Sequence, residues 1–519
     1  MALPRCGARL WGGALRYSLP DVRAPRQQAP DQASGVGRLL RNARARATAP
    51  RFRAESTRAH GGLPPVRRRR PAAACLALVA LAAAAPATAS DPKRPGGVAY
   101  DIVAGLTTEV GPRLDGSEAE ARARAWAVAR LQALGFANVH VEPFTIRGFV
   151  RGTDEARLTA PVPQRLVITA LGYSAPTPAR GIEGEVAYFP TLDALKSAPD
   201  GALAGKIVFI DHAMRANQDG SGYGLNVTVR RQGPTIASRK GAIGVVIRSI
   251  GTDNHRLAHA GVTDWGKDAR PIPAGAVSNP DADLIARNAA LGRPMRIALT
   301  LTSHPQPNLP SGNVIGEIPG RDPSLPAVLA ACHLDSWDLG TGAIDNAAGC
   351  GIITAAALQV RAAGQPLRTI RVLWAGSEEL GGAAGLGGEE YAKVHAREPH
   401  AVAMESDFGA DRVWRVQFDI TAAGKPLADR IAAALSPMGI VRGAGKASGG
   451  EDITPVAQKQ KIAVIALSQD GTRYFDIHHT ADDTLDKIDP AQLQQNVDVW
   501  ATVLGIVANE PGPIPGSGG

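Results

Sequence analysis

Cysteine is scarce in this 519-residue chain, which contains only four. If the N-terminal leader described below is removed, only Cys332 and Cys350 remain. A zinc site built from thiolates needs more sulfur ligands than these two, so that class of site is excluded. Both cysteines lie inside apolar segments, and we predict that they are buried free thiols, although an exported protein would permit a disulfide.

Excess positive charge is missing from most of the chain. The whole sequence carries a net charge of +9 and has a pI near 9.6, but residues 1–70 hold 16 arginines, no lysine and three acids. The other 41 basic and 45 acidic residues give residues 71–519 a net charge of −4. The high pI therefore describes the leader and is no sign of nucleic-acid binding.

The apolar run near the N-terminus is too short for a comfortable bilayer span. Ala72 to Ala85 follow the basic stretch Arg67 to Arg70 and precede the small-residue pattern Ala87-Thr88-Ala89. This order predicts a signal peptide at residues 67–89 and a secreted or periplasmic protein, with a membrane-anchored N-terminus as the alternative. Residues 1–66 show no hydrophobic period, and we expect a disordered leader that reflects a start codon placed too far upstream.

The composition of the remaining chain divides it into three segments and a short tail. Residues 90–154 predict two helices and a strand, the first part of a catalytic domain. Residues 155–305 consist of short β-rich runs between glycine, proline and aspartate, with one short helix at Pro234–Lys240, and we interpret them as an inserted module. Residues 306–508 follow an α/β pattern and form the second catalytic part, ended by a helix with Asp489 as N-cap and Pro490 at its first position. Residues 509–519 are predicted to be a disordered tail.

Acidic and histidine clusters follow the apolar runs of the α/β segment. Four runs are typical of buried strands: Ala327–Cys332, Thr369–Ala375, Ala401–Glu405 and Ile462–Leu467. The clusters at or after them are HLDSWD from His333, GAIDNAAG from Gly342, SEELGG from Ser377, MESDFG from Met404 and IHHTADDT from Ile477. Ligands of open α/β sheets bind outside the carboxyl ends of the strands, so these groups can converge there.

Several carboxylates in one crevice raise each other's pKa and destabilise a fold unless cations neutralise them. Two histidines with several Asp and Glu, and no suitably placed cysteine, match hydrolytic rather than structural zinc. One ligand from each of the five motifs would give five ligands, which are too many for one catalytic zinc that keeps a water. They suit two metal ions about 3.5–4 Å apart, bridged by a carboxylate and a hydroxide.

The five motifs, in this order, resemble the co-catalytic zinc exopeptidases of the aminopeptidase Y and glutamate carboxypeptidase type, and most of all the carboxypeptidase Q-like members. The resemblance covers roughly Pro95 to Ala508. It implies an α/β fold, a mixed-sheet zinc-exopeptidase (phosphorylase/hydrolase-like) sandwich, with residues 155–305 as an inserted β-rich protease-associated domain. It also implies two Zn²⁺ ions as cofactors.

The resemblance assigns a role to each matching position. Asp345 would bridge the metals, His333 and Asp407 would complete one site, and Glu379 and His479 the other. Glu378 would be the general base that takes a proton from the metal-bridging water. Asp335 would orient the ligating imidazole of His333.

Some positions depart from the family pattern or leave a choice. His478 competes with His479, which is preferred because it directly precedes a threonine, and Glu405 competes with Asp407. Asn346 stands where many relatives have an acid. The resemblance also implies a cis peptide bond between Asp345 and Asn346.

The implied activity is hydrolysis of small peptides by a carboxypeptidase Q-like dipeptidase that uses a metal-bridged hydroxide. The alternatives are a zinc aminopeptidase of the same fold and, in another class, a catalytically silent binding protein of that fold. The expected partner is a small peptide substrate, with no nucleic acid and no stable membrane span, and homodimerisation stays open.

Overall fold

The computed structural model of the protein describes residues 96–381 and 386–516. The predicted leader at residues 1–66 and the predicted signal peptide at residues 67–89 lie outside the described residues. One helical stretch of the described chain, Ala343–Ala363, is long and apolar enough to cross a membrane, but 89% of its apolar window is buried inside the fold.

The described residues form two eight-stranded sheets. The strands of the first sheet are β1 (Ala137–Val150), β10 (His304–Ile318), β11 (Ala327–His333), β12 (Ile370–Ala375), β13 (His400–Glu405), β14 (Val413–Asp419), β15 (Val441–Arg442) and β16 (Ala463–Gln469). The strands of the second sheet are β2 (Asp154–Ala160), β3 (Gln164–Leu166), β4 (Ile168–Ala170), β5 (Ile182–Phe189), β6 (Ile207–Ile210), β7 (Gly244–Arg248), β8 (Ala274–Val277) and β9 (Arg296–Leu301).

Eleven α-helices accompany these strands in the described chain. They are α1 (Gly97–Gly105), α2 (Glu118–Ala133), α3 (Leu192–Ser197), α4 (Tyr223–Arg239), α5 (Asn279–Ala290), α6 (Ala348–Ala363), α7 (Leu386–Val394), α8 (Lys425–Leu435), α9 (Thr454–Gln460), α10 (Tyr474–Ile477) and α11 (Pro490–Ala508). The last begins as predicted, because the Asp489 side chain accepts the amides of Ala491 and Gln492 and Pro490 needs no partner at N1.

The first sheet is mixed, in the order β1-β10-β12-β11-β13-β16-β14-β15. Strands β12, β11, β13 and β16 run parallel to their neighbours in that central group. Their residues are mostly apolar and almost all buried, as expected of strands covered on both faces. The parallel group places four strand ends side by side at one edge, and the four predicted apolar runs of the α/β segment correspond to these strands.

The second sheet has the order β3-β2-β9-β5-β6-β7-β8-β4 and lies wholly within residues 154–301. Its interior strands β6, β7 and β8 are fully buried. The segment is less purely β than predicted, because α3, α4 and α5 connect its strands. The single helix predicted at Pro234–Lys240 is only the end of α4, whose earlier apolar residues recur at every second position and so lack a helical period. That this segment is a protease-associated domain stays a prediction.

The prediction of two free thiols is wrong. Cys332, at the end of β11, and Cys350, in the first turn of α6, form a disulfide with their Cα atoms 5.3 Å apart, a separation that a disulfide spans. The turn between them brings the start of α6 back beside the strand it left.

The chain end also differs from the prediction of disorder from residue 509. The buried guanidinium of Arg368 donates to the carbonyls of Glu510 and Gly512. Thr421 N–H donates to the Pro515 carbonyl. These contacts order residues 509–516, and residues 517–519 lie outside the described chain.

Candidate metal centre

The motif residues meet at the carboxyl edge of the parallel strands. His333 is the last residue of β11, Glu378 and Glu379 follow β12 by three and four positions, and Asp407 follows β13 by two. Asp345 lies in a π-helical turn at Ala343–Ala347 that precedes α6, and its backbone there is not helical. His479 follows α10.

Asp345 lies between the two histidines. Its Oδ1 is 3.0 Å from His333 Nε2, and its Oδ2 is 3.3 Å from His479 Nε2. Asp407 Oδ1 is 3.2 Å from the same nitrogen of His333, and Glu379 Oε2 is 3.0 Å from that of His479. Each histidine therefore shares the central carboxylate and has one further carboxylate of its own.

The peptide bond between Asp345 and Asn346 is cis, as the resemblance implied. The turn around it is held by Asp483, whose Oδ1 accepts the amides of Ala343 and Ile344 at 2.8 Å each. Its Oδ2 accepts the amide of Asp345 at 3.3 Å. Burial, followed by the charge of Asp345, raises the pKa of Asp483 to about 7.

A buried arginine also holds these loops in place through hydrogen bonds to their carbonyl groups. Arg113 donates to the carbonyls of Leu334, Thr341 and Gly342. Burial lowers the pKa of its guanidinium to about 10, although the nearest carboxylate, Asp483, acts in the opposite direction. Arg113 thus ties the residue after the β11 ligand to the turn that carries Asp345.

The adjacent glutamates are fixed through their backbone. Asp335 accepts the amide of Glu378 at Oδ1, at 3.2 Å, and the amide of Glu379 at Oδ2, at 3.0 Å. Asp115 accepts the next amide, that of Leu380, at 2.8 Å. Burial, then the charge of Asp335, raises the pKa of Asp115 well above its usual range.

The geometry revises the predicted task of Asp335. The Nδ1 atom of His333 lies 3.1 Å from the Asp335 carbonyl oxygen but 3.8 Å from its carboxylate. The carboxylate is engaged by the amides of the glutamate pair instead. Asp335 therefore contacts the imidazole through its main chain and positions Glu378 and Glu379 through its side chain.

The sequence left two choices of ligand open, His478 or His479 and Glu405 or Asp407, and the structure gives the alternatives different surroundings. His478 Nε2 lies 3.5 Å from Asp345 Oδ2, so it faces one predicted ligand at a longer distance than His479 does. Burial, then the neighbouring His479, lowers the pKa of His478 well below its usual range. Glu405 Oε2 accepts the amides of Asp452 and Ile453, both at 3.0 Å, so it is oriented toward the next loop.

A cavity of about 410 Å³ opens onto the cluster. Four of its lining acids belong to the predicted site, namely Asp345, Glu378, Glu379 and Asp407. Its other charged lining residues are Glu451, which precedes α9, and Arg230 and Arg231 of α4. Helix α4 belongs to the second sheet's segment, so both parts of the fold form the cavity wall.

Burial dominates the proton affinities of the site. It raises the pKa of Glu378 well above its usual range, and the charges of Glu451, Asp407 and Glu379 act in the same direction. Burial also raises the pKa of Glu379 to about 7. For His479, burial acts downward, but Glu379 and Asp345 outweigh it and raise the pKa to about 10. These carboxylates need positive charge nearby to stay ionised.

The donor set suits a divalent cation. Glu379 Oε1 is buried and has no hydrogen-bond donor, although a carboxylate oxygen can only accept. Histidine and carboxylate ligands with no thiolate are typical of hydrolytic zinc. The fit is thus shown by the residues themselves: His333, Asp345 and Glu379 present one group of ligand atoms within 4.8 Å of one another, and Asp345, His478 and His479 present a second.

Sequence reasoning missed the residues that support the ligands. Arg113 and Asp115 were visible only as part of the turn GPRLDGS, and Asp483 as part of IHHTADDT. The only signal that the sequence offered for these residues was a charged side chain within such a turn or motif. The contact of His259 with His478 and the contacts of Ala260 with His479 had no signal in the sequence, because each pair of residues is 219 positions apart.

Comparison with known proteins agrees with this geometry. Residues 313–504 match the model of peptidase family M28. Bovine carboxypeptidase Q is 31% identical over 423 residues, which cover 80% of this chain and 87% of the bovine protein. The crystal structure of a peptidase M28 precursor from Shewanella amazonensis is 44% identical with a TM-score of 0.77, and the match covers 80% of this chain and 94% of that one.

A more distant structure shows the same fold. A zinc aminopeptidase from Bacillus subtilis is 19% identical, with a TM-score of 0.56 and coverage of 78% of this chain and 94% of that one. The α/β zinc-exopeptidase fold is therefore confirmed. By its sequence, fold and site, the chain belongs to peptidase family M28 and is a metallo-exopeptidase.

Proposed function

We propose that this protein is a two-zinc exopeptidase that hydrolyses small peptides, in the manner of a carboxypeptidase Q-like dipeptidase. The observation that carries the proposal is the position of Asp345, whose two carboxylate oxygens face different histidines at 3.0 and 3.3 Å. A carboxylate so placed can serve two cations at once. His333 and Asp407 would complete one site, and Glu379 and His479 the other.

Two zinc ions held there would polarise the scissile carbonyl and lower the pKa of the attacking water. The protein's own groups then handle the proton. Glu378 lines the cavity, and its backbone is held by Asp335 at 3.2 Å. It would accept the proton of the attacking water and deliver it to the leaving amine. Glu379, held by the same carboxylate, is directed toward His479 and is left for metal binding.

The cavity supports a short substrate. Its volume of about 410 Å³ is near the lower end of ligand pockets in general, which suits a dipeptide better than a long chain. Arg231 and Glu451 line it and offer both signs of charge to a peptide with free ends. An acid such as Glu451 could also bind a free ammonium group, and this observation keeps the aminopeptidase as the second candidate.

The test uses the purified full chain and one dipeptide in three forms: free, N-acetylated and C-amidated. A carboxypeptidase should lose activity when the C-terminus is amidated, an aminopeptidase when the N-terminus is acetylated, and a strict dipeptidase in both cases. The Glu378→Gln variant at the same zinc occupancy is the matched control. Absence of hydrolysis of all three forms by the zinc-loaded protein would contradict the proposal and favour a silent binding protein.

We also propose export, on the signal-like order of residues 67–89. Sequencing the N-terminus of protein recovered from outside the cytoplasm should find Ser90 first. Recovery of a mature chain that still carries residues 1–66 would refute this.

A further inference from the structure

The loop after β7 contacts the segment that carries His479. We define the bracing loop as residues 249–263, which belong to the second sheet's segment. Two backbone bonds join it to the histidine segment: the Thr252 amide donates to the Phe475 carbonyl at 3.0 Å, and the Ala260 amide donates to the His479 carbonyl at 2.9 Å. The hydroxyl of Thr252 also donates to Asp476 Oδ1 at 2.7 Å.

One contact of the bracing loop reaches the imidazole itself. The Nδ1 atom of His479 lies 3.2 Å from the Ala260 carbonyl oxygen. A carbonyl can only accept, so Nδ1 must carry the proton and donate it. In the neutral ring this leaves the lone pair on Nε2, the atom that faces Asp345 and Glu379. Ala260 therefore selects the tautomer that a metal ligand requires.

His259 holds the neighbouring peptide. Its Nδ1 donates to the His478 carbonyl at 2.7 Å, and its Nε2 lies 2.7 Å from Asp253 Oδ1. The side chains of His259 and Asp253 are completely buried. Asn279, at the start of α5, donates to the same Asp253 oxygen at 3.1 Å. The ring is thus anchored in the second sheet's segment and fixes the backbone directly before His479.

The arrangement leaves little room to adjust. A Cβ atom on Gly251 would lie 2.2 Å from the His259 ring. The Arg230 guanidinium donates to the Ala260 carbonyl at 3.3 Å and so holds the acceptor of the His479 bond in place. His479 itself has a φ of 61°, a left-handed conformation that an L-residue keeps only where its surroundings hold it.

We propose that the bracing loop is part of the metal site, with His259 as a positioning residue that sets the orientation of His479 and thereby the affinity for a divalent cation. The inference rests on the proposed metal role of His479. It predicts that zinc affinity depends on His259 and Ala260, each of which is 219 positions from the residue that it contacts. Neither of them is a predicted metal ligand.

The experiment measures the zinc dissociation constant of the full chain by competition with a chromogenic chelator. His259→Ala should weaken zinc binding about 10–100-fold, the usual effect of losing such an outer contact. Thr252→Val, which keeps the shape and removes only the bond to Asp476, should weaken it a few-fold. Thr177→Val is the matched control, because it removes two buried hydrogen bonds between the Thr177 hydroxyl and the Leu301 main chain elsewhere in the same segment and should leave zinc affinity unchanged.

Each outcome decides the question. Wild-type zinc affinity in a folded His259→Ala variant would overturn the inference. If that variant does not fold, unchanged zinc affinity in Thr252→Val would overturn it instead. An equal loss in Thr177→Val would show a general effect of weakening the segment and would also count against it. If the wild-type chain binds no zinc at all, the proposed metal site fails, which is a distinguishable result.

Discussion

Glu378 and Glu379 are neighbours in sequence with different surroundings. Both side chains line the cavity, but Glu379 Oε2 lies 3.0 Å from His479 Nε2, whereas Glu378 interacts with Glu451. The difference follows from one backbone turn, because both amides are held by Asp335 and the side chains then diverge. This separation allows one glutamate to bind metal and the other to move a proton.

The first prediction separates the two roles. Glu378→Gln should keep both zinc ions while kcat falls by about 10²–10⁴, because general acid–base catalysis acts in the transition state. Glu379→Gln, the matched variant, should lose zinc together with activity. Metal analysis beside steady-state kinetics on a dipeptide measures both. If Glu378→Gln lost a zinc ion, the two roles would have to be exchanged.

A second prediction concerns His400, far from the metal ligands. Tyr391 OH lies 2.7 Å from its Nε2, and Gln460 Oε1 lies 3.1 Å from its Nδ1, an arrangement that a neutral ring satisfies. Burial lowers its pKa from 6.5 to about 4. The unfolded chain therefore takes up a proton first as the pH falls, and stability present above pH 6.5 is lost between pH 6.5 and 4.

The lowered pKa of His400 corresponds to a loss of about 3 kcal/mol in the free energy of unfolding. Urea unfolding at pH 7 and at pH 4.5 measures it as the difference between the wild type and His400→Gln, whose side chain does not titrate. The free energy of unfolding should decrease less between pH 7 and pH 4.5 in the variant than in the wild type. Parallel declines would mean that His400 does not contribute.

At the scale of elements, the disulfide joins β11 to α6 across an 18-residue separation. Closing a loop of that length should stabilise the fold by roughly 3 kcal/mol through the unfolded chain. The double variant Cys332→Ala, Cys350→Ala should therefore unfold at lower urea concentration than the wild type. Dithiothreitol should lower the midpoint urea concentration of the wild type and leave that of the double variant unchanged. Identical urea unfolding curves for the reduced and the oxidised wild type would contradict the prediction.

The elements also show what sequence reasoning can and cannot reach. The four central strands were predictable because their apolar runs are short and uninterrupted, and the motifs at their ends followed from parallel pairing. Only the end of helix α4 was predicted, because the apolar residues of its first half (Tyr223, Leu225, Val227 and Val229) recur at every second position, which is the period of a strand and not of a helix. The thiols were mistaken for free because a burial pattern does not report that the turn after β11 returns to the strand.

Long-range support for the site was beyond prediction for a physical reason. Ala260 contributes a backbone carbonyl to His479, and every residue of the chain carries the same group. Arg113 acts through three main-chain acceptors in the same way. Side-chain chemistry can be read from a sequence, but the placement of a carbonyl depends on the packing of two sheets.

For the whole molecule, the proposed metal site would couple metal binding to folding. His333, Asp345, Glu379 and His479 come from four separate segments of the chain and are at most 7% exposed. The unfolded chain does not hold them together, so zinc at the proposed site would favour the folded state and stabilise it as the zinc concentration rises. Free zinc at a thousand times its dissociation constant would add about 4 kcal/mol.

The last prediction follows from that coupling. The unfolding temperature of the metal-stripped protein should rise with added zinc and fall again when a chelator removes it. Asp345→Asn should abolish most of this rise, because the amide has one neutral oxygen where two ions need a shared charge, while its backbone bond to Asp483 remains. Asp470→Asn, at an acid that is no part of the predicted ligand set, is the matched control and should behave as the wild type. Differential scanning calorimetry at several zinc concentrations measures the shift. A zinc-dependent rise of wild-type size in Asp345→Asn would exclude Asp345 as the carboxylate shared by two metals, and the centre would then have to be described as a single-ion site.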